Sequence, residues 1–394
     1  MRRAPAGVRY NSRVIDSSAL DDVQGRRVVA GLSGGVDSAV AAMLLKDRGA
    51  DVHALHMTNW EDEDGYCTAA ADLQDARQVC EALEIPLHHV NFAREYRDNV
   101  FEYFLREYRA GRTPNPDVFC NRDIKFGTFR RYAKRLGAER LATGHYARIR
   151  RVGDGAHLCK ARDPDKDQTY FLHAVPTDAL AETVFPLGDL LKRDVRDLAR
   201  DRGLPVFGKK DSTGICFIGE RPFREFLSRH LPAEPGPIRT PEGRTIGEHA
   251  GLPYYTIGQR QGLGIGGRSD AGDAPWYVVA KDTRTNAVIA AQGDHPLLYS
   301  DELRASRASW IGERPDELGR ACGLRCHARI RHRQPDQDCR VRGNDNGGLT
   351  VSFAEPQRAV APGQFVVFYK DERCLGGGII ERAWMHGERL EATD

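Results

Sequence analysis

The run Val28-Val29-Ala30-Gly31-Leu32-Ser33-Gly34-Gly35-Val36-Asp37-Ser38 constrains this chain more than any other stretch. A β-branched run enters a Ser/Gly turn, and Ala39-Val40-Ala41-Ala42-Met43-Leu44-Leu45 then opens a helix. Adjacent glycines let the backbone bend and approach a ligand without interference from a Cβ. Their N–H groups, the Ser33 and Ser38 hydroxyls and the positive end of the helix converge on one point, a geometry suited to phosphate. The turn has neither the Lys of a Walker A loop nor the spacing of a dinucleotide fingerprint. The competing reading is an ordinary Gly-containing strand–helix turn.

The 394 residues exceed one ordinary core, so two or three domains are expected. With 40% hydrophobic and 29% charged residues the composition is globular, and a net charge of +2 can still hide a basic face. No apolar run is long enough to span a membrane. Residues 1–13 are Arg-rich but lack an apolar signal core, which predicts a disordered extension over 1–25 and a cytoplasmic protein. Nine cysteines, an odd number, point to a reducing compartment.

Strand-like runs at 51–57, 86–90 and 140–145 alternate with helical patterns at 69–83, 96–108 and 124–136. This rhythm predicts a doubly wound parallel α/β sheet with ligands at the carboxyl ends of its strands. Gly31–Ser38, Met57–Trp60 and Gly144–His145 would share that edge. The catalytic domain is placed at 26–218. Pro- and Gly-rich texture follows, predicting a small β-rich central domain at 219–284 and a C-terminal β-barrel at 285–394.

A second constellation is Thr113-Pro114-Asn115-Pro116-Asp117-Val118-Phe119-Cys120-Asn121, between two helices. Its prolines stiffen the loop. With the helix expected to begin at Asn121, Cys120 lies beside a helix N-terminus, where the dipole favours the thiolate. Asp117 could pass protons to a substrate within its reach. Cys216, in Asp211-Ser212-Thr213-Gly214-Ile215-Cys216-Phe217-Ile218-Gly219, is a second marked thiol, although Ile-Cys-Phe-Ile also reads as a buried strand.

The first loop resembles the SGGxDS pyrophosphate loop of the N-type ATP pyrophosphatases. Beyond it, TPNPDVFCNRDIKF (113–126), GHYA (144–147), KDQTYFL (166–172), DSTGICFIGE (211–220) and YTIGQRQGLGIG (255–266) resemble the tRNA-specific 2-thiouridylases, in matching order over roughly residues 27–382. That resemblance implies an adenine-nucleotide-hydrolase-like catalytic domain and ATP-dependent 2-thiolation of the wobble uridine in a tRNA anticodon loop. It implies that Gly31, Leu32, Ser33, Gly34, Gly35, Val36, Asp37, Ser38, Met57 and Gly144 hold ATP, with Asp37 helping to place Mg²⁺. Cys216 would carry a persulfide delivered by a donor protein, a cysteine desulfurase or a relay. Cys120 would be the partner nucleophile, leaving a transient Cys120–Cys216 disulfide, and Asp117 the general acid/base. Asn115, Pro116 and Asp117 would meet the target base; His145, Lys166, Asp167, Gln168, Arg331, His332 and Gln364 would contact tRNA.

Strand alternation places His327, Arg329, Arg331 and Arg333 on one face, either a row for an RNA backbone or a charged edge that blocks aggregation. Cys322, Cys326, Cys339 and His327 are too loosely spaced for a zinc site. His53 and His56 point to opposite faces of their strand, which argues against shared ligation. The Gly-rich 262–267 run is a hairpin candidate. Two rival functions remain at this stage. One is another ATP-dependent ligase or amidotransferase on the same loop, which would not need the two cysteines. The other is an RNA-binding scaffold with a degenerate nucleotide site.

Overall fold

The computed structural model describes residues 20, 22–60, 69–153, 155–211, 223–231, 234–266 and 272–385. The β-branched run before the first loop forms β1 (Arg27–Gly31), followed by α1 (Val36–Asp47), β2 (Asp51–Thr58), α2 (Ala69–Leu83) and β3 (Leu87–Asn91). The chain then crosses to β4 (Arg140–Ala142), forms a hairpin of β5 (Arg148–Val152) and β6 (Gly155–Cys159), and returns as β7 (Thr183–Val184). The first sheet has the order β3-β2-β1-β4-β7, and every pairing in it is parallel. Strand order reverses between β1 and β4, and such a switch point opens a crevice at the carboxyl ends. Gly31 and Ala142 end the two strands that flank it.

Packing begins before the sheet does. Leu20 and Val23 are buried, and Asp22 accepts hydrogen bonds from Arg140. Ordered structure therefore reaches into the segment expected to be a loose extension.

The helix carrying Cys120 starts earlier than its sequence suggests. Asn115 is the N-cap, Pro116 takes the first helical position, and the helix runs as Pro116–Phe119, wider π-type turns over Cys120–Phe129, and Arg130–Arg135. Proline suits that position because its missing N–H would have no helical partner there. Asp117 thus occupies the first turn, while Cys120 lies one turn inside and is fully buried.

A second sheet, β10-β11-β8-β9, comprises β8 (Gly236–Arg239), β9 (Thr245–His249), β10 (Trp276–Asp282) and β11 (Ala287–Gln292). Because β11 pairs with both β10 and β8, this unit extends past residue 285 to Gln292. Residues 262–266 form no strand; Leu263 and Ile265 fill the core of this small sheet instead.

The third sheet contains β12 (Tyr299–Trp310), β13 (Leu324–Arg329), β14 (Gln337–Gly343), β15 (Leu349–Arg358), β16 (Phe365–Lys370) and β17 (Arg373–Trp384). Pairing of β12 with β17 closes these six antiparallel strands into a barrel, and closure leaves no edge to aggregate. The β5–β6 hairpin joins the barrel through β6 and β17, although its sequence lies within the first domain. Packing crosses the same border: Phe119, Cys120 and Tyr170 share one apolar cluster with Phe365, Val367, Tyr369 and Ile379. Tyr170 donates to the carbonyl of Phe365 at 3.0 Å.

The expected basic row at 327–333 breaks at Arg329, where β13 ends. Arg329 turns inward to the Asp167 carboxylate (2.9 Å) and to Asp336 (2.7 Å). The Asp167 side chain is 2% exposed, so this pair is a buried charge contact between the two domains. Removing one partner of such a pair costs about 3–5 kcal/mol. Arg329→Leu should therefore lower the thermal midpoint by several degrees, measured by scanning calorimetry; an unchanged midpoint would show that Asp167 finds other support.

Candidate active site

The Gly31–Ser38 turn lies in the switch-point crevice, closed on itself by its two serines. Ser38 Oγ donates to the carbonyl of Gly35 (3.0 Å) and accepts from Ser33 N–H (3.2 Å). Gly35 caps α1 without a side-chain hydrogen bond, so the first-turn N–H groups are left for a ligand. Two glycines are required on steric grounds. Gly34 has φ of +78°, and a Cβ there would lie 2.4 Å from the Asp72 carbonyl. Gly144, after β4, packs so closely on α1 that a Cβ would lie 2.8 Å from the Ser38 nitrogen.

His56 supports the turn from behind. Its Nδ1 donates to the Leu32 carbonyl at 2.8 Å, which fixes the tautomer. Burial depresses its pKa, partly offset by that hydrogen bond, and keeps the ring neutral. Neighbouring Met57 is half-buried on β2, and His53 faces the other way, stacked on His88.

Charge is concentrated at Asp37. Lys192 Nζ donates to its two oxygens at 2.7 and 2.8 Å, and the Tyr146 hydroxyl donates at 2.9 Å. The same ammonium lies 2.8 Å from Asp211, which also pairs with Lys166 (2.7 Å) and Arg196. Burial opposes ionisation of Asp211, yet the bonds from Lys166 and Lys192 prevail and take its carboxyl down to about 2. Lys209 Nζ reaches the Gly34 carbonyl (3.2 Å), Asp72 (2.8 Å) and Asp75. Burial disfavours the charged ammonium, but the bonds to Asp72 and Asp75 outweigh it and raise the Lys209 pKa. Among the described residues no group of three His, Cys, Asp or Glu side chains is arranged to hold a metal ion. Cys326 and Cys339 face each other across β13 and β14 with sulfurs 3.7 Å apart, while His327 pairs with Asp338.

The proline loop is held by the barrel. Gln364 donates to the carbonyls of Thr113 (2.9 Å) and Pro114 (3.3 Å), and Thr113 N–H donates to Pro362 (2.8 Å). Asn115 and Asp117 are half-buried and Pro116 is buried. Cys216 lies outside the described residues, as do residues 212–222 around it.

Three family models match the chain in order. They are described as a tRNA methyl transferase HUP domain (residues 26–220), a tRNA methyl transferase PRC-barrel domain (224–292) and an aminomethyltransferase beta-barrel domain (300–380). The tRNA-specific 2-thiouridylase MnmA of Marinobacter nauticus is 55% identical over 93% of this chain and 94% of its own length. That of Methylococcus capsulatus is 56% identical over 93% of this chain and 99% of its own length. The chain belongs to the tRNA-specific 2-thiouridylase family.

Positions assigned to tRNA by that thiouridylase resemblance are woven into the framework. His145 is buried, with Nδ1 bonded to Thr143 (2.7 Å); burial and nearby Lys125 depress its pKa strongly. Lys166 holds Asp211, Asp167 holds Arg329, and Gln168 accepts from Tyr146 N–H at 2.9 Å. Arg331 donates to the carbonyls of Arg358 and Ala359. His332 donates to the Asp167 carbonyl at 2.8 Å and packs on Phe171 with ring centres 4.4 Å apart. Sequence reading gave no role to Tyr146, Lys192, Lys209 or His56. Each meets the loop from a distant part of the chain, and only the lysines and acids flanking the Cys216 segment offered a local sign of an ionic cluster.

A methyl group forced against the α1 backbone costs about 1–3 kcal/mol. Gly144→Ala should thus weaken ATP binding by roughly tenfold or more, read by titration calorimetry. Retained affinity would mean that α1 and Gly144 can separate without disturbing the site.

Proposed function

We propose that this chain is an ATP-dependent sulfurtransferase that converts the wobble uridine, position 34, of tRNA into 2-thiouridine, releasing AMP and pyrophosphate. The observation that carries the reading is an ion-pair chain. A phosphate-type loop at the switch point is joined through Asp37, Lys192 and Asp211 to the start of the segment bearing Cys216. The matched family models are described by methyl transfer and the curated relatives by thiolation; the ATP-type loop and the two marked cysteines favour thiolation.

The chemistry explains why both halves are needed. Uridine O2 cannot leave as oxide, so transfer of AMP from ATP to that oxygen converts it into a competent leaving group. The loop N–H groups and the positive end of α1 would hold the phosphates. Asp37 would help to place Mg²⁺ beside the ATP oxygens, an ion that binds through one or two carboxylates and phosphates, and would have to release the Lys192 ammonium that bonds both of its oxygens. When bound, that ion neutralises phosphate charge. A base stacked in an anticodon loop must also turn outward to react, and Asn115, Pro116 and Asp117 would receive it. The terminal sulfur of a Cys216 persulfide then attacks C2 and expels AMP. Attack by the Cys120 thiolate on the Cys216 sulfur releases 2-thiouridine and leaves a Cys120–Cys216 disulfide for a reductant to open. Asp117 would move the proton. The persulfide comes from a donor protein, a cysteine desulfurase or a relay.

Single turnover of persulfide-charged protein with tRNA, ATP and Mg²⁺, followed by mass spectrometry of the nucleosides, tests this reading. Thiolation should appear with the wild type and vanish with Cys120→Ser and Cys216→Ser, while tRNA binding persists. Thiolation by Cys216→Ala would sink the scheme. Pyrophosphate release that requires tRNA would exclude the scaffold reading, and a persulfide trapped on Cys216 would exclude an ammonia-using ligase. Arg331→Ala should weaken tRNA binding and reduce the slope of log affinity against log salt by about one; an unchanged slope would remove Arg331 from the RNA contacts.

A further inference from the structure

We infer that Lys209 is a positioning residue that couples adenylation to sulfur delivery by fixing the stem of the thiol-bearing segment to the ATP loop. The inference rests on the function proposed above. Residues 209–211 are the last described residues before the segment that contains Cys216. Their two charged anchors take separate sets of partners at the loop. Lys209 holds the Gly34 carbonyl within the phosphate loop and, beside it, Asp72 and Asp75 in the first turns of α2. Asp211 holds Lys166, Lys192 and Arg196, of which Lys192 also carries Asp37. The stem is therefore tied to the loop at two points, directly through Lys209 and Gly34 and through the Lys192 ammonium between Asp211 and Asp37.

Lys209 has no part in the chemical steps, and the Gly34 carbonyl it binds is an acceptor that cannot bind phosphate. A helix-to-loop contact alone would need no residue from this stretch, because Gly34 already packs on Asp72. What Lys209 adds is a fixed distance between the adenylation point and the chain leading to Cys216. Misplacement of a reacting group by about 1 Å can cost on the order of a hundredfold in rate. An adenylated base that is not met by sulfur is lost to water, regenerating uridine while AMP and pyrophosphate accumulate. Loss of coupling is therefore visible as pyrophosphate released without 2-thiouridine formed.

The test measures both products from persulfide-charged protein, tRNA and ATP with Mg²⁺. Wild type should form nearly one 2-thiouridine per pyrophosphate. Lys209→Met should lower that ratio on the order of tenfold, and Lys209→Arg, which keeps the charge and its donors, should restore most of it. Asp211→Asn, altering the opposite anchor, should lower the ratio in the same direction. A ratio unchanged in Lys209→Met and Asp211→Asn, even with both rates reduced, would assign Lys209 to structure alone and overturn the inference. Wild type that yields neither product would instead overturn the functional reading on which it rests.

Discussion

The buried Asp167 carboxylate is the point at which the molecule is joined. It accepts from Arg329 on the barrel, from the Thr169 hydroxyl and from the backbone of Ala161, while its own carbonyl accepts from His332. A charge removed from water this completely is tolerable only when it is paired and its remaining lone pairs are satisfied. Its chain neighbours extend the junction in two directions. Lys166 reaches the Asp211 stem, and Gln168 orients Tyr146, which in turn holds Asp37. Three consecutive residues thus fix the barrel, the stem at 209–211 and the nucleotide loop relative to one another.

Where function depends on a local pattern, it was readable in the chain. The strand–turn–helix at 27–47 and the parallel rhythm after it follow from β-branched runs, glycines and helix-forming residues within a few positions of each other. The start of the Cys120 helix was misplaced because Pro114 and Pro116 read as loop rigidifiers, whereas Pro116 is the first helical residue. The dipole argument for Cys120 went with it, since the thiol lies a turn inside and Asp117 occupies the first turn. The arginine row at 327–333 failed for a different reason. Alternation predicts a face only while the strand lasts; β13 ends at Arg329, whose side chain satisfies a buried acid far away in sequence.

Lys192 and Tyr146 show why the rest was illegible. Their role comes from meeting Asp37 across more than a hundred residues of chain, and nothing beside either one announces that meeting. The β5–β6 hairpin makes the same point at the scale of architecture, because it lies in the first domain by sequence and in the barrel by hydrogen bonding.

The apolar cluster running from Phe119 and Cys120 through Tyr170 to Phe365 and Tyr369 has a mechanical consequence. Interiors packed at crystal-like density are stiff, so the barrel cannot swing as a clamp without tearing a shared core. If tRNA docks at this junction as proposed, the wall it meets is therefore a mould, and fitting falls to the softer partner. Turning one base out of a loop costs an RNA only a few kcal/mol, far less than parting these two domains. Selectivity can then arise from how readily a given anticodon loop deforms, at nucleotides that no side chain touches.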